Sequence, residues 1–304
     1  MEQESVLITG GSGLIGSNLS ALLLEKGFRV STLSRKENIG GKIPVFRWDP
    51  ANNYIDPEAL RNTDYIIHLA GANIGEGRWT KRRKKEIIES RVNTAELLLR
   101  SVKENKIKLK AFISASATGY YGSATTDKIY NETDPPGTDF LAETCRKWEE
   151  AAGRFSNDGI RTVIVRTGVV FEKHDGALRR FLAAAKLYVF PVLGSGKQWL
   201  PWVHMDDLCR IYLKAVEDDS MSGAFNAVAP SFVNNRELMK ILAGVMKKPF
   251  FHPPVPAFVL KTVMGESSVV ALSGSRASSL KLIEKGFRFN YPDTAEALRD
   301  AIGR

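Results

Sequence analysis

The sequence predicts an α/β protein with a doubly wound parallel sheet and a smaller, mostly helical C-terminal lobe. Three observations support this: short continuous apolar runs alternate with helical stretches, a glycine-rich turn directly follows the first run, and prolines and glycines loosen the pattern after Arg166. Continuous apolar strands between helices are typical of a parallel sheet that is covered on both faces.

The first predicted strand covers residues 5–9 and leads into the turn Gly10-Gly11-Ser12-Gly13-Leu14-Ile15-Gly16. A helix and a second strand, residues 28–34, follow within about 30 residues, the size of one βαβ unit. The spacings Gly11-x-Gly13-x-x-Gly16 and Gly10-x-x-Gly13-x-x-Gly16 are typical of dinucleotide-binding turns, where glycines let the backbone approach a pyrophosphate. A glycine-rich turn without a ligand is the alternative interpretation.

The end of the second strand predicts which dinucleotide binds. Sites for NAD usually have Asp or Glu there, on the ribose hydroxyls. This chain has Ser34 and Arg35 instead. A carboxylate would repel a 2′-phosphate, whereas the planar guanidinium of Arg35 can bind it and Ser34 can add a hydrogen bond. We therefore expect NADP(H), with a solvated strand-end charge as the alternative role of Arg35.

Later runs extend the same pattern. Strands are predicted at residues 65–69, 111–114 and 162–166, and helices at about 81–104 and 140–156. We expect an NADP-binding domain over residues 1–170, with a further contribution from about 200–230. The C-terminal substrate lobe then consists of residues 171–200 and 231–304.

Arg91 lies on the apolar stripe of the helix predicted near 81–104, together with Ile87, Leu98 and Val102. A buried guanidinium needs an anion. That anion is either an internal carboxylate or a phosphate of the bound cofactor, and the spacing alone leaves both open.

Composition excludes several classes of protein. The 304 residues are 43% hydrophobic and 25% charged, and no apolar run reaches the roughly 18 residues of a membrane span. Two cysteines are too few for a disulfide framework, and four histidines argue against a His-rich metal site, so we expect no metal. The acidic N-terminus does not resemble a signal peptide, so we expect a cytoplasmic protein without membrane contact.

The net charge of +9 favours anionic partners without choosing among them. The main basic run of the chain consists of Arg78 and residues 81–85. We expect this run to form a solvated helix face rather than a nucleic-acid site. Residues 204–207, His-Met-Asp-Asp, are expected to order the domain junction with an Asp as helix N-cap.

The motifs resemble the extended short-chain dehydrogenase/reductase superfamily, and more narrowly its little-characterised "epimerase family" branch. The segments that carry the resemblance are residues 9–16, 68–71, 77–80, 90–91, 114–122, 139–143, 147–149, 202–207, 226–228 and 285–292. The match covers almost the whole chain, including a C-terminal domain of unknown function. It implies a Rossmann fold whose loop residues Gly10, Gly13, Leu14, Ile15 and Gly16 bind the cofactor, with further contacts at Ser34, Arg35, Leu69, Ala70, Glu86, Arg91 and Val170.

Members of the superfamily that transfer hydride use a Ser, a Tyr and a Lys. The Lys follows the Tyr by four residues and lowers the pKa of its phenol. Ser116 stands in the matching place, but no tyrosine of this chain has a lysine four residues later. Alignment on Glu149 instead puts Leu141 and Cys145 at the Tyr and Lys positions. The candidate catalytic residues are therefore Ser116, to orient the substrate, and Tyr120, as an acid; structural roles are the alternative for both.

We expect an NADP(H)-binding oxidoreductase or epimerase-like enzyme that acts on a small or nucleotide-linked substrate. The absent Tyr–Lys pair favours the alternative, a non-catalytic NADP(H)-dependent regulator. The resemblance to plant and cyanobacterial members of the branch links that alternative to cell division. The sequence leaves the oligomeric state open.

Overall fold

Strand β1 (Ser5–Thr9) lies inside an eight-stranded sheet in the computed structural model, which describes residues 3–36, 41–174 and 176–303. The other strands of the described chain are β2 (Arg29–Ser34), β3 (Val45–Asp49), β4 (Tyr54–Ile55), β5 (Tyr65–His68), β6 (Ala111–Ala117), β7 (Ile129–Tyr130), β8 (Arg161–Thr167), β9 (Val169–Phe171), β10 (Val192–Leu193), β11 (Trp202–His204), β12 (Gly223–Ala227), β13 (Pro254–Val255) and β14 (Arg276–Ala277).

The main sheet has the order β4-β3-β2-β1-β5-β6-β8-β12, and its neighbours are parallel except for β3 and β4. The chain runs outward from β1 to β3 and then returns to the other side of β1 at β5. The carboxyl ends of β1 and β5 therefore form the topological switch point, where open α/β sheets bind their ligands. This arrangement confirms the predicted doubly wound fold.

Helices cover both faces of the sheet and build the C-terminal lobe. They are α1 (Leu14–Glu25), α2 (Lys81–Glu104), α3 (Phe140–Asn157), α4 (Gly176–Lys186), α5 (Met205–Glu217), α6 (Asn235–Val245), α7 (Ala257–Met264), α8 (Val269–Leu272), α9 (Leu280–Glu284) and α10 (Thr294–Ala301). Helices α1 and α5 pack together on one face, and α2 packs against α3 on the other.

The apolar residues of β1 belong to two hydrophobic cores, one on each face of the sheet. Val6 and Ile8 are buried with Leu23 of α1, whereas Leu7 is buried with Leu98 of α2. Successive side chains of a strand point to opposite faces, so a strand covered on both sides must be apolar throughout.

A third core lies in the C-terminal lobe, and its members come from β9, α4, α6 and α10 among other segments; they include Phe171, Leu178, Phe190, Leu238, Leu242 and Leu298. Strand β11 pairs with β9, while β12 extends the main sheet. The predicted domain boundaries remain a proposal. Within the described ranges, no helix is long and apolar enough to cross a bilayer.

Candidate active site at the switch point

The glycine-rich turn between β1 and α1 leaves no room for side chains. Gly10 has a φ of +72°. A Cβ on Gly16 would lie 2.3 Å from the Gly10 carbonyl oxygen, and a Cβ on Gly11 would lie 2.3 Å from Cγ2 of Thr32. Glycine is therefore required for the tight turn, as the sequence indicates.

Helix α1 begins at this turn with an uncapped N-terminus. Its N-cap, Gly13, makes no side-chain hydrogen bond, and no acidic residue lies in the first turn. Leu14 and Ile15, the first two helical residues, are partly buried. The first N–H groups of a helix have no intrahelical partner and carry partial positive charge, so this end fits the pyrophosphate of a dinucleotide.

Thr9 fastens the glycine-rich turn to the end of β5. Its hydroxyl accepts hydrogen bonds from the backbone N–H groups of Leu69 and Ala70, at 3.2 and 3.1 Å, and lies 2.8 Å from Nδ1 of His68. Burial lowers the pKa of His68 to about 4, so its ring is neutral at pH 7. A Cβ on Gly10 would come within 3.1 Å of Ala70, which shows how close the turn lies to β5.

Ser34 and Arg35 lie at the carboxyl end of β2, beside the end of β1. Arg35 is exposed, and Oγ of Ser34 accepts a hydrogen bond from the backbone N–H of Lys36 at 3.1 Å. Both side chains are therefore on the β2 side of the switch point. A guanidinium there fits a 2′-phosphate better than the acidic residue of NAD sites does.

Arg91 lies on the opposite, β5 side. Its guanidinium donates to the carbonyl oxygens of Ile87 and Ala72, at 2.8 and 3.0 Å, and lies 4.9 Å from the ring centroid of Trp148. A Cβ on Gly71 would be 2.9 Å from its Cζ. Burial lowers the pKa of Arg91 to about 10. Among the described residues no carboxylate pairs with Arg91, which argues against the internal ion pair; its contact with a cofactor phosphate remains a prediction.

Glu86 and Val170, the two remaining contacts that the resemblance implies, lie on other elements. Glu86 is exposed on α2 and forms an ion pair with Arg83 at 2.9 Å. Val170 is partly buried in β9, opposite Val203 of β11. Their contact with the cofactor remains a prediction.

Ser116 belongs to a buried hydrogen-bond network. Its hydroxyl donates to Oε1 of Glu149 at 2.6 Å. Arg166 binds the same carboxylate with two nitrogens, Nε at 2.9 Å and Nη2 at 2.8 Å. Burial alone would lower the pKa of Arg166, but the hydrogen bonds and charge of Glu149 outweigh it and raise that pKa. Because Ser116 donates its hydrogen to a carboxylate, its oxygen is left as an acceptor.

The network continues across three strands of the sheet. Ser116 of β6, Arg166 of β8 and Asn226 of β12 are direct neighbours in the strand register. The hydroxyl of Tyr121 accepts from Nη1 of Arg166 at 3.0 Å and donates to Oδ1 of Asn226 at 2.7 Å. Burial raises the pKa of Tyr121 to about 12.

Tyr120 packs its ring against Arg166, whose Cζ lies 3.5 Å from the ring centroid. Burial raises the pKa of Tyr120, the opposite of what a Tyr–Lys pair achieves. Leu141 and Cys145 both face Gly119: their Cβ and Sγ lie 3.5 and 3.7 Å from where its Cβ would be. Burial raises the pKa of Cys145 to about 12, so this thiol cannot take over the role of lysine.

Glu149 and Arg166 were not among the candidate residues from the sequence. One signal was present: Arg166 ends the apolar strand of residues 162–166, and a charge in a buried strand needs a partner. Its partner, Glu149, lies 17 residues away and is brought to it by the packing of α3 against β8.

Two structural expectations are corrected in part. The basic run is not only a solvated face, because Arg78 donates to the carbonyl oxygen of Val263 at 3.1 Å and Lys84 pairs with Glu266. These contacts join α2 and the preceding loop to the C-terminal lobe. The N-cap of α5 is His204 rather than an aspartate: its Nδ1 accepts from the N–H of Asp206 at 3.3 Å.

Asp207 is buried and joins α5 to the C-terminal segment. Its carboxylate accepts from the backbone N–H groups of Asn290 and Tyr291, at 2.8 and 2.9 Å. Residues 204–207 therefore order the junction as expected. Within the described residues, no group of three metal-ligating side chains is gathered anywhere.

The fold and the switch-point geometry define a Rossmann protein of the short-chain dehydrogenase/reductase type. Residues 6–227 match the NAD dependent epimerase/dehydratase family, and residues 255–301 match a domain of unknown function, DUF1731. The chain belongs to the NAD dependent epimerase/dehydratase family, which confirms the resemblance seen in its motifs.

Relatives match it over nearly their whole length. The epimerase family protein YfhF of Bacillus subtilis is 34% identical over 300 residues, 98% of each chain. The human epimerase family protein SDR39U1 is 32% identical over 301 residues, 98% of this chain and 99% of the relative.

Two solved structures share the fold at more than 30% identity. The crystal structure of human SDR39U1 with NADPH has a TM-score of 0.88 at 31% identity and covers 99% of both chains. A nucleoside-diphosphate sugar epimerase from Corynebacterium glutamicum has a TM-score of 0.80 at 33% identity; the match covers 99% of this chain and 59% of that longer one.

Proposed function

We propose that this chain is an NADP(H)-dependent oxidoreductase or epimerase-like enzyme that acts on a small or nucleotide-linked substrate. One observation carries the proposal: Arg35 and Arg91 lie on the two sides of the switch point, and among the described residues Arg91 has no carboxylate partner. The NADPH in the crystal structure of the human relative supports the same cofactor.

The residues present fit this cofactor. The turn of Gly10 to Gly16 and the first N–H groups of α1 would hold the pyrophosphate, and Arg35 with Ser34 would hold the 2′-phosphate. When bound, the nicotinamide supplies hydride transfer. Ser116, fixed by Glu149, would accept a hydrogen bond from a substrate hydroxyl and orient it.

Nucleotide-linked substrates are included because the 33% identical relative from Corynebacterium is described as a nucleoside-diphosphate sugar epimerase. A non-catalytic NADP(H)-dependent regulator is the second candidate. It is favoured by the raised pKa of Tyr120 and by the apolar Leu141 and buried Cys145 beside Gly119. In that case the cofactor would act as a ligand that stabilises one conformation.

A binding and turnover experiment separates these functions. NADPH binding is followed by its fluorescence. Reduction of carbonyl compounds is followed by cofactor oxidation, and epimerisation of nucleotide sugars, which causes no net cofactor oxidation, is followed by NMR of the sugar. Turnover that is lost in Ser116→Ala while NADPH still binds supports the enzyme. Tight NADPH binding without turnover across the panel supports the regulator, and no NADPH binding contradicts both.

The cytoplasmic location expected from the sequence is part of the proposal. Both cysteines are free thiols, which suits a reducing compartment. Cell fractionation with an antibody against the chain tests it, and recovery in a membrane or exported fraction would contradict it.

A further inference from the structure

A pocket of about 220 Å³ lies beside the switch-point site, between the start of α2, the start of α3 and the C-terminal lobe. Its lining residues are Trp79, Lys84, Asp139, Phe140, Leu141, Glu266 and Val269. We infer that this pocket binds an apolar, ring-sized group of the substrate rather than a nucleotide. The inference rests on the proposed function and names the chemical class of its substrate.

Four of the seven residues that line the pocket are apolar, and two of these, Trp79 and Phe140, pack against each other. Trp79 packs edge-on against Phe140 with ring centroids 4.9 Å apart, and its Nε1 donates to the carbonyl oxygen of Ile74 at 3.0 Å. Leu141 and Val269 complete the apolar lining. Aromatic and aliphatic walls of this kind favour an apolar occupant.

The charged residues of the pocket already have partners. Lys84 pairs with Glu266 and lies 5.1 Å from the ring centroid of Phe140. The two carboxylate oxygens of Asp139 accept from the N–H groups of Ala142 and Ser123, at 3.0 and 2.6 Å. The three charged lining residues, Lys84, Asp139 and Glu266, sum to one negative charge, which repels a phosphate, whereas an apolar group meets no such repulsion.

The volume decides between a ring and a nucleotide. A cavity of about 150 Å³ holds benzene, whereas pockets for drug-sized ligands are about 300–1,000 Å³. A volume of about 220 Å³ therefore suits one ring or a short branched alkyl group.

The pocket adjoins the candidate catalytic residues. Leu141 lines it and also faces Gly119, which lies in the turn directly after β6 and Ser116. Trp79 donates to the carbonyl oxygen of Ile74, which lies two residues after Ala72 in the same loop. The carbonyl oxygen of Ala72 in turn accepts a hydrogen bond from Arg91. An apolar group in the pocket would thus place the adjoining polar end of the same molecule toward Ser116.

The test compares two probes, 1-phenylethanol, whose hydroxyl can donate to Ser116, and UDP-glucose, by saturation-transfer NMR on the full chain with and without NADPH. We expect 1-phenylethanol to bind in the pocket and UDP-glucose not to bind there. Trp79→Ala should weaken 1-phenylethanol binding about tenfold, because it removes the largest apolar wall. Val269→Ser should weaken it several-fold with less risk to folding, while the neighbouring, exposed Val270→Ser should not change it.

Three results would overturn the inference. They are failure of 1-phenylethanol to bind, UDP-glucose binding that weakens in Trp79→Ala or Val269→Ser, and equal losses of 1-phenylethanol binding in Val269→Ser and Val270→Ser. NADPH titration of the same samples tests the proposed function separately, because the probes are also measured without cofactor.

Discussion

The hydroxyl of Ser116 donates to Oε1 of Glu149 at 2.6 Å, and this bond determines what Ser116 can offer a substrate. The hydrogen is directed toward a carboxylate that Arg166 holds with two further bonds. Ser116 is therefore left with acceptor lone pairs, and under the proposed function one of them would accept from a hydroxyl or N–H group of the substrate.

Removal of the Glu149 carboxylate should strongly destabilise the protein. Glu149→Ala leaves the buried Arg166 without its anion, a loss of about 3–5 kcal/mol in the free energy of unfolding. Urea unfolding at pH 7 measures it. The matched control is Glu150→Ala: this exposed neighbour pairs with Arg146 and should change stability by no more than about 1 kcal/mol. In an Arg166→Met background, Glu149→Ala should cost much less; an undiminished loss would argue against the pairing.

Arg35 should select NADPH over NADH. Arg35→Ala removes a charge-assisted contact with the 2′-phosphate and should weaken NADPH about 10- to 100-fold, with little change for NADH. Fluorescence titration with both cofactors measures the ratio. Arg29→Ala, an exposed arginine at the other end of β2, serves as the control and should leave both affinities unchanged. Equal losses for NADPH and NADH in Arg35→Ala would refute the 2′-phosphate assignment.

Arg91 should matter more for binding than for stability. Arg91→Met removes a largely buried charge that no described carboxylate neutralises, so the free energy of unfolding without cofactor should change by less than about 1 kcal/mol. NADPH affinity should fall at least about tenfold, because the cofactor loses a charged partner. Calorimetric titration and urea unfolding measure the two effects. Arg100→Met, exposed on the same helix, should leave NADPH affinity unchanged; a large stability loss with intact binding in Arg91→Met would mean that Arg91 is structural.

His68 should make the protein sensitive to acid. Burial lowers its pKa to about 4 in the folded state, whereas the unfolded chain protonates near 6.5. The unfolded state therefore binds the proton first, and the stabilising contribution of a neutral His68 is complete above pH 6.5 and is lost as the pH falls toward 4. Between pH 7 and 5 the loss should be about 2 kcal/mol.

Urea unfolding at pH 7 and pH 5 tests this contribution. In His68→Gln the decrease between the two pH values should be smaller by about that amount, although the variant is less stable at pH 7. His174→Gln, which changes an exposed histidine, should keep the decrease of the parent chain. An unchanged decrease in His68→Gln would show that other groups cause the acid sensitivity.

The elements that the sequence predicted are those with local signals. The glycine-rich turn, α1, α2, α3 and strands β1, β5 and β8 follow from glycine spacing and periodicity within short windows. Strands β3 and β4 were missed, because their run, with Arg47 in its middle and Pro44 and Pro50 beside it, lies at the sheet edge and lacks a continuous apolar stretch. Edge strands have weaker sequence signals because one side of them faces solvent.

The cofactor side of the site was more predictable than the substrate side. Ser34 and Arg35 are adjacent in the chain, and the glycines lie within one short turn, so local signals indicated each group. Contacts such as Ser116 with Glu149, or Lys84 with Glu266, join residues far apart in the sequence and depend on the strand register and on how α3 and the C-terminal lobe pack. No local pattern contains that information.

The hydrogen-bond network of Ser116, Arg166 and Asn226 should also couple local unfolding of the sheet to that of the C-terminal lobe. Asn226 connects this network to the lobe, since its Nδ2 donates to the carbonyl oxygen of Ser278 at 3.0 Å. To release the lobe from the sheet, the chain must break a bond to this buried network. Amide protons of β6, β8 and β12 should therefore exchange together with those near Ser278, as one cooperative unit rather than as separate fraying segments.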